Sequence, residues 1–172
     1  TYRIRIRIYE GTDIIPRNSA GNAFFGNKGG AANPFVTVSM LDVTKKTTVK
    51  KKTLSPVWDE QFFLDYEHLN KQQLEEASLV FTLMDNNGPV RPDTALGVYE
   101  VDLTSVYFSP NHEMKMVTLC LDDPEGEVEG VCGMLKVTIE ALGPNDEPTV
   151  SDPKNDKVPT GGATGQVLQS NR

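Results

Sequence analysis

Lys45, Lys46, Lys50, Lys51 and Lys52 crowd five ammonium groups into the eight residues KKTTVKKK. Side chains of that type at that density attract phosphate and carboxylate groups. An anionic membrane leaflet favours each nearby lysine by about 1 kcal/mol, so the set has an upper bound of roughly 5 kcal/mol before screening and geometry reduce it. A second chemistry is apolar: RNSAGNAFFGNKGGAA sets Phe24 and Phe25 among glycines. Burying one such ring in a lipid surface is worth about 1.5–3 kcal/mol, although the pair could equally fold back on the domain as a small satellite cluster. A third group is acidic, comprising Asp122, Asp123, Glu125, Glu127 and Glu129. Its spacing lacks the central Gly and terminal Glu of an EF-hand loop, so a solvated hairpin tip is expected.

Catalytic chemistry finds no constellation. His68 and His112 stand alone in loop-like contexts, and no Ser or Cys has a motif partner. Cys120 and Cys132 match neither zinc spacing nor a C-x-x-C pair. Two reduced thiols are expected, though a hairpin could bring them within bridging reach.

The rest of the chain must position these groups. It has 172 residues, 38% hydrophobic and 24% charged, with a net charge of −7. That suits one domain with one core, with length to spare for a tail. No apolar run approaches the roughly 18 residues of a membrane span, and a pI near 4.8 argues against a dedicated nucleic-acid binder. The chain carries no signal-peptide pattern and starts within a strand pattern, as an excised piece of a longer protein would.

Period-two alternation dominates. TYRIRIRIYEG sets Tyr2, Ile4, Ile6 and Ile8 on one face and Arg3, Arg5 and Arg7 on the other. The arginines are expected on a solvated face, pairing across strands with groups such as Asp65 or Glu140. NPFVTVSM is a second strand, with Pro34 first, where a missing N–H does least harm. TTVKKKT is read as a third, with Val49 inward and Lys46, Thr48, Lys50 and Lys52 outward. EQFFLDY, SLVFTLMD, ALGVYEVDL, MKMVTLCL and GMLKVTIEAL complete eight. LNKQQLEEA is the one helical segment expected, with Asn70 as cap and Gln73 closing a capping box. Eight short strands without a βαβ rhythm imply an all-β, antiparallel β-sandwich over 1–142. From 143 to 172 the chain is rich in Pro, Gly, Asp and Thr and reads as a disordered linker or tail.

NPFVTV, KKTTVKKKTLSPVWDEQFFL, LVFTLMDNN and TALGVYEVDL, in this order, resemble the landmarks of a C2 domain. TLSPVWDEQF is the most specific of them, and the lysine stretch resembles the polybasic strand in the second C2 domain of synaptotagmins. DTALGVYEVDLTSVYFSPNHE, LDDPEGEVEG and GMLKVTIEALGPNDEP are similar to the second C2 domain of ferlins. The resemblance covers about residues 2 to 142 and implies the permuted, type II strand order. It further implies one module of a large, tail-anchored protein acting in vesicle fusion and membrane repair, with 143–172 leading to the next domain.

Calcium-binding C2 domains gather about five aspartates on two loops. The corresponding positions here are Asn18, Asn33, Asp85, Asn87 and Asp93. Two carboxylates remain, so weak or no calcium binding is expected, with the asparagines serving as turn residues. Phe35 keeps the aromatic of the phosphoinositide-binding pattern, but Thr37 replaces a lysine, which leaves head-group choice open.

A lone lysine or two would protect a strand edge; five in eight exceed that need. The function expected is therefore docking on anionic phospholipid, phosphoinositides included, at the cytoplasmic face of membranes or vesicles, without cofactor and without nucleic acid. Lys45, Lys46, Lys50, Lys51, Lys52, Phe24 and Phe25 would carry it, helped by neighbouring domains that raise effective concentration. The rival readings are a protein–protein module using the same lysines and a regulatory domain of a lipid-modifying enzyme.

Overall fold

A computed structural model describes residues 1–17, 31–146 and 166–170. Alternation writes most of the strands: β1 (Tyr2–Thr12), β2 (Pro34–Met40), β3 (Val43–Lys46), β4 (Val57–Tyr66), β5 (Ser78–Asp85), β6 (Thr94–Asp102), β7 (Glu113–Asp122) and β8 (Val131–Leu142). They form the orders β3-β2-β5-β6 and β7-β8-β1-β4, two antiparallel layers joined by the bridge pair Val98–Asp122 into a near-barrel. The last long strand, β8, lies beside the first.

Ile4, Ile6, Ile8, Leu64, Leu79, Phe81, Leu83, Leu119, Leu135, Val137 and Ile139 fill the space between the layers. All follow the parity of their strands, since a one-residue slip would turn each outward. Gly97 lets the layers meet: a Cβ there would stand 2.8 Å from Leu121 Cβ, against the bridge between β6 and β7. On the outer face of β1, Arg3 pairs with Asp65 at 2.6 Å, Arg5 with Glu140, and Arg7 with Asp59 at 2.7 Å. The Arg5–Glu140 pair is buried rather than solvated.

The capping box forms as expected. Asn70 caps α1 (Lys71–Glu76), its Oδ1 accepting the Gln73 N–H at 2.8 Å while Gln73 Oε1 accepts the Asn70 N–H at 3.0 Å. A second helix, α2 (Leu103–Tyr107), follows β6 and buries Leu103 and Val106. At five residues it is too short to show a helical period in the sequence. The two helices and the start of β1 border an apolar cavity of about 260 Å³ that includes Tyr2, Leu74 and Phe108.

Two elements differ from the sequence reading. The third strand is Val43–Lys46, four residues earlier than TTVKKKT. In the stretch 143–172, expected as tail, residues Val167–Gln169 form a ninth strand, β9, parallel to β7. Three residues with one inward leucine are too short to register as alternation.

Candidate functional site

The lysine segment is built on β2. Beyond β3 the chain continues beside β2 in steps of three residues against two. The Thr47 N–H donates to the Val36 carbonyl at 2.9 Å, Lys50 N–H to Pro34 at 3.0 Å, and Thr53 N–H to Ala32 at 3.0 Å. Lys52 closes the run with φ at 51°, a left-handed conformation outside strand geometry. Strand parity therefore fails here. Thr47, only 4% exposed, is the inward anchor, while Val49 is 38% exposed. Sequence periodicity could not show this, because Thr47 is held by polar contacts. Its hydroxyl accepts the Val36 N–H at 2.9 Å and donates to the Thr48 carbonyl at 3.1 Å.

Three more contacts fix the segment. Trp58 Nε1 donates to the Thr48 carbonyl at 2.9 Å, which explains why the tryptophan of TLSPVW follows the lysines. Glu60 accepts the Thr48 N–H at 3.2 Å and its hydroxyl at 2.8 Å. Asn33 Oδ1 accepts the Lys52 N–H at 3.0 Å.

On this scaffold Lys45, Lys46, Lys51 and Lys52 are exposed and Lys50 is half-buried. Among the described residues none of the five has a carboxylate partner. Several other described cations are matched: besides the β1 arginines, Arg17 meets Asp123 at 2.6 Å, Lys71 meets Glu75 at 3.6 Å and Lys136 meets Glu10 at 3.9 Å. The lysine face is thus a concentration of unneutralised charge on an acidic protein. Thr37 lies directly across from Lys46 and Phe35 is buried, so that face has a hydroxyl beside Lys46 where the phosphoinositide-binding pattern has a further cation.

The β5–β6 loop adjoins the lysines through Asn33. Its Nδ2 donates to the Asn86 carbonyl at 3.2 Å, and its N–H donates to Asp85 Oδ1 at 2.8 Å. Asn87 Nδ2 donates to the Pro92 carbonyl and to Thr94 Oγ1, both at 2.8 Å, while Asp93 Oδ1 accepts the Asn87 N–H at 3.3 Å. Asn33, Asp85, Asn87 and Asp93 are therefore brought together, but as turn residues stitching the loop. Among the described residues no group of three or more His, Cys, Asp or Glu could hold a metal ion. The loop lifts Val90 to 92% exposure beside exposed Arg91. Sequence reasoning missed this apolar tip, whose signal was a single valine between two prolines. Asn18, Phe24 and Phe25 lie outside the described residues.

The acidic hairpin corrects a further expectation. Asp123 is buried, not solvated: its carboxylate accepts the N–H groups of Glu125 (3.0 Å), Glu127 (2.8 Å) and Val128 (2.9 Å) in addition to the Arg17 guanidinium. Arg17, first among these, and the three amides hold the carboxyl well below the usual carboxylate range, against the opposing effect of burial. Arg17 also donates to the Leu96 carbonyl at 3.3 Å, tying the segment after β1 to both β6 and the hairpin. Both cysteines are free thiols. Burial pushes Cys132 up to about 11 and Cys120 upward too, which makes both poor nucleophiles. Neither His68 nor His112 joins a catalytic group; His112 stacks on Tyr107 at 4.3 Å between ring centroids.

Similarity to known proteins agrees with this geometry. The C2-domain family model matches residues 2–119. Myoferlin of Xenopus tropicalis is 31% identical over 149 residues, covering 87% of this chain and 7% of that protein. Human myoferlin is 28% identical over 86% of this chain and 6% of its own length. This chain therefore spans a small fraction of the relatives it matches. Among solved structures, a C2 domain of plant extended synaptotagmin 1 superposes with a TM-score of 0.59 at 22% identity, covering 81% of this chain and 92% of that one. Human GIVD cytosolic phospholipase A2 gives 0.59 at 16% identity, over 86% of this chain and 18% of that chain, a likeness of fold alone. The chain belongs to the C2-domain family and is a ferlin-like member of it.

Proposed function

We propose that this domain docks on anionic phospholipid membranes without requiring calcium, through the lysines of β3 and the segment after it. The observation that carries the reading is the set Lys45, Lys46, Lys50, Lys51 and Lys52, held on a fixed backbone with no carboxylate partner among the described residues. Among the described residues salt bridges hold Arg3, Arg5, Arg7, Arg17, Lys71 and Lys136, while this face keeps its charge for an external anion. The anion is a lipid head group, because Val90 and Arg91 stand on the loop that Asn33 fastens beside Lys52. An apolar tip next to a basic face suits an interface that is charged outside and apolar within.

Two carboxylates among the loop positions, with Asn33 and Asn87 engaged in turn bonds, support calcium independence. The domain acts as one module of a longer, membrane-anchored, several-C2 protein in vesicle trafficking or fusion at the cytoplasmic face, most like a second ferlin C2 domain. Weak contacts then add through effective concentration.

The test is co-sedimentation with phosphatidylcholine liposomes, with and without phosphatidylserine, in calcium and in chelator. Binding that needs phosphatidylserine and ignores calcium supports the reading. Absence of binding to phosphatidylserine liposomes overturns it in favour of an acidic protein partner.

A further inference from the structure

The edge of β7 carries none of the five lysines, yet it is occupied. Along its length β7 pairs with β8 on one side, and it meets β6 only at Val98–Asp122. Such an edge presents unpaired N–H and C=O groups, a template for another strand. The chain covers it with a piece of its own sequence. Thr118, Leu119 and Cys120 face Val167, Leu168 and Gln169 in parallel register, and the Thr118 N–H donates to the Gln166 carbonyl at 2.9 Å.

This cover is minimal. It has three residues, in the parallel pairing that is slightly weaker per residue. Leu168 alone packs against the core, while Val167 and Gln169 are exposed. Main-chain bonds supply affinity in such an arrangement, and the site for alternate side chains supplies selectivity, here for one aliphatic residue.

We propose that the outer edge of β7 is a strand-accepting surface for an extended polypeptide segment with an aliphatic residue at the position of Leu168, and that Val167–Gln169 is its built-in, displaceable occupant. Cis occupancy protects the edge from indiscriminate pairing and makes capture of another chain conditional on release. The partner segment runs parallel to β7 and tolerates polar residues on either side of the aliphatic one, since those positions face solvent.

The experiment uses the full 172-residue chain and backbone amide exchange by NMR. Leu168→Ser should speed exchange of the Thr118 amide by about tenfold or more while leaving the Val137 amide in central β8 unchanged. Val167→Ser, on the exposed side of the same strand, should change Thr118 by less than about twofold. A peptide TGQVLQSNR, copying residues 164–172, should restore Thr118 protection when added to the Leu168→Ser chain and should not alter wild type. An unchanged Thr118 rate in Leu168→Ser would overturn the proposal, as would failure of the peptide to protect it. Accelerated Val137 exchange in that variant would also overturn it, because β9 would then belong to the global fold. A wild-type dimer dissociated by Leu168→Ser would place the segment on a second copy and defeat cis occupancy.

Discussion

Replacing Thr47 with valine probes the scaffold under the lysines. The two side chains have nearly the same shape, so packing is conserved and the hydroxyl alone is removed. The Val36 N–H, fully buried, then loses its acceptor at 2.9 Å. The Thr48 carbonyl loses one donor but keeps Trp58 Nε1 at 2.9 Å, so only one group is orphaned. Leaving a buried donor unsatisfied costs about 1–3 kcal/mol, and the added buried methyl returns up to about 0.8 kcal/mol. With the full offset the net loss is about 0.2–2 kcal/mol, a fall in Tm of up to about 8 °C for a chain of this size. Thermal unfolding followed by circular dichroism measures it. Thr47→Ser keeps the hydroxyl and should fall less than Thr47→Val, even though it removes a methyl. Equal stability of Thr47→Val and wild type, or a lower Tm for Thr47→Ser than for Thr47→Val, would refute Thr47 as a polar anchor.

Three further outcomes follow from the same geometry. The folded-state pKa of Asp123 is lowered, so its stabilising effect is complete above the unfolded value of about 4 and is lost as pH falls below it. Asp123→Asn should accordingly lower Tm at pH 7, and the gap to wild type should narrow below about pH 4; a gap independent of pH contradicts the ion pair. Titration with calcium to about 100 µM should give no saturable heat and no rise in Tm, whereas a clear rise at about 10 µM would show a ligand set that the turn bonds do not reveal. Val90→Ser should weaken liposome binding several-fold, about what losing part of one buried aliphatic side chain predicts, and leave its salt dependence in place; unchanged binding would remove the loop tip from the docking surface.

Legibility in the sequence followed the source of each residue's burial. Ile4, Ile6, Ile8, Leu79, Phe81 and Leu83 are buried because they are apolar and alternate, so the sandwich and its core could be read directly. Asn70 and Gln73 act within one turn of chain, so the capping box was equally plain. Thr47 and Asp123 are buried by hydrogen bonds to backbone that composition does not reveal, and both look like surface residues. That misplaced Val49 as an anchor and made Asp123 part of a solvated tip. β9 and α2 are too brief for periodicity to separate them from loops. The lysines were conspicuous as a charge run, but their lack of local partners required the fold, since nothing in the sequence says where Glu60 or Asp59 points.

The most direct measurement compares wild type with the chain carrying Lys45, Lys46, Lys50 and Lys51 changed to Gln. Both are sedimented with phosphatidylserine-containing liposomes in chelator, from about 50 to 300 mM salt, a range over which the Debye length shrinks from about 14 to 6 Å. Docking through the lysine face predicts that wild-type binding falls steeply with salt and that the variant binds at least about tenfold more weakly at low salt. Tm should change little, because these side chains lie outside the core and substitutions at the surface usually move stability by under about 0.5 kcal/mol. A variant that folds normally and sediments like wild type would contradict membrane docking through these lysines.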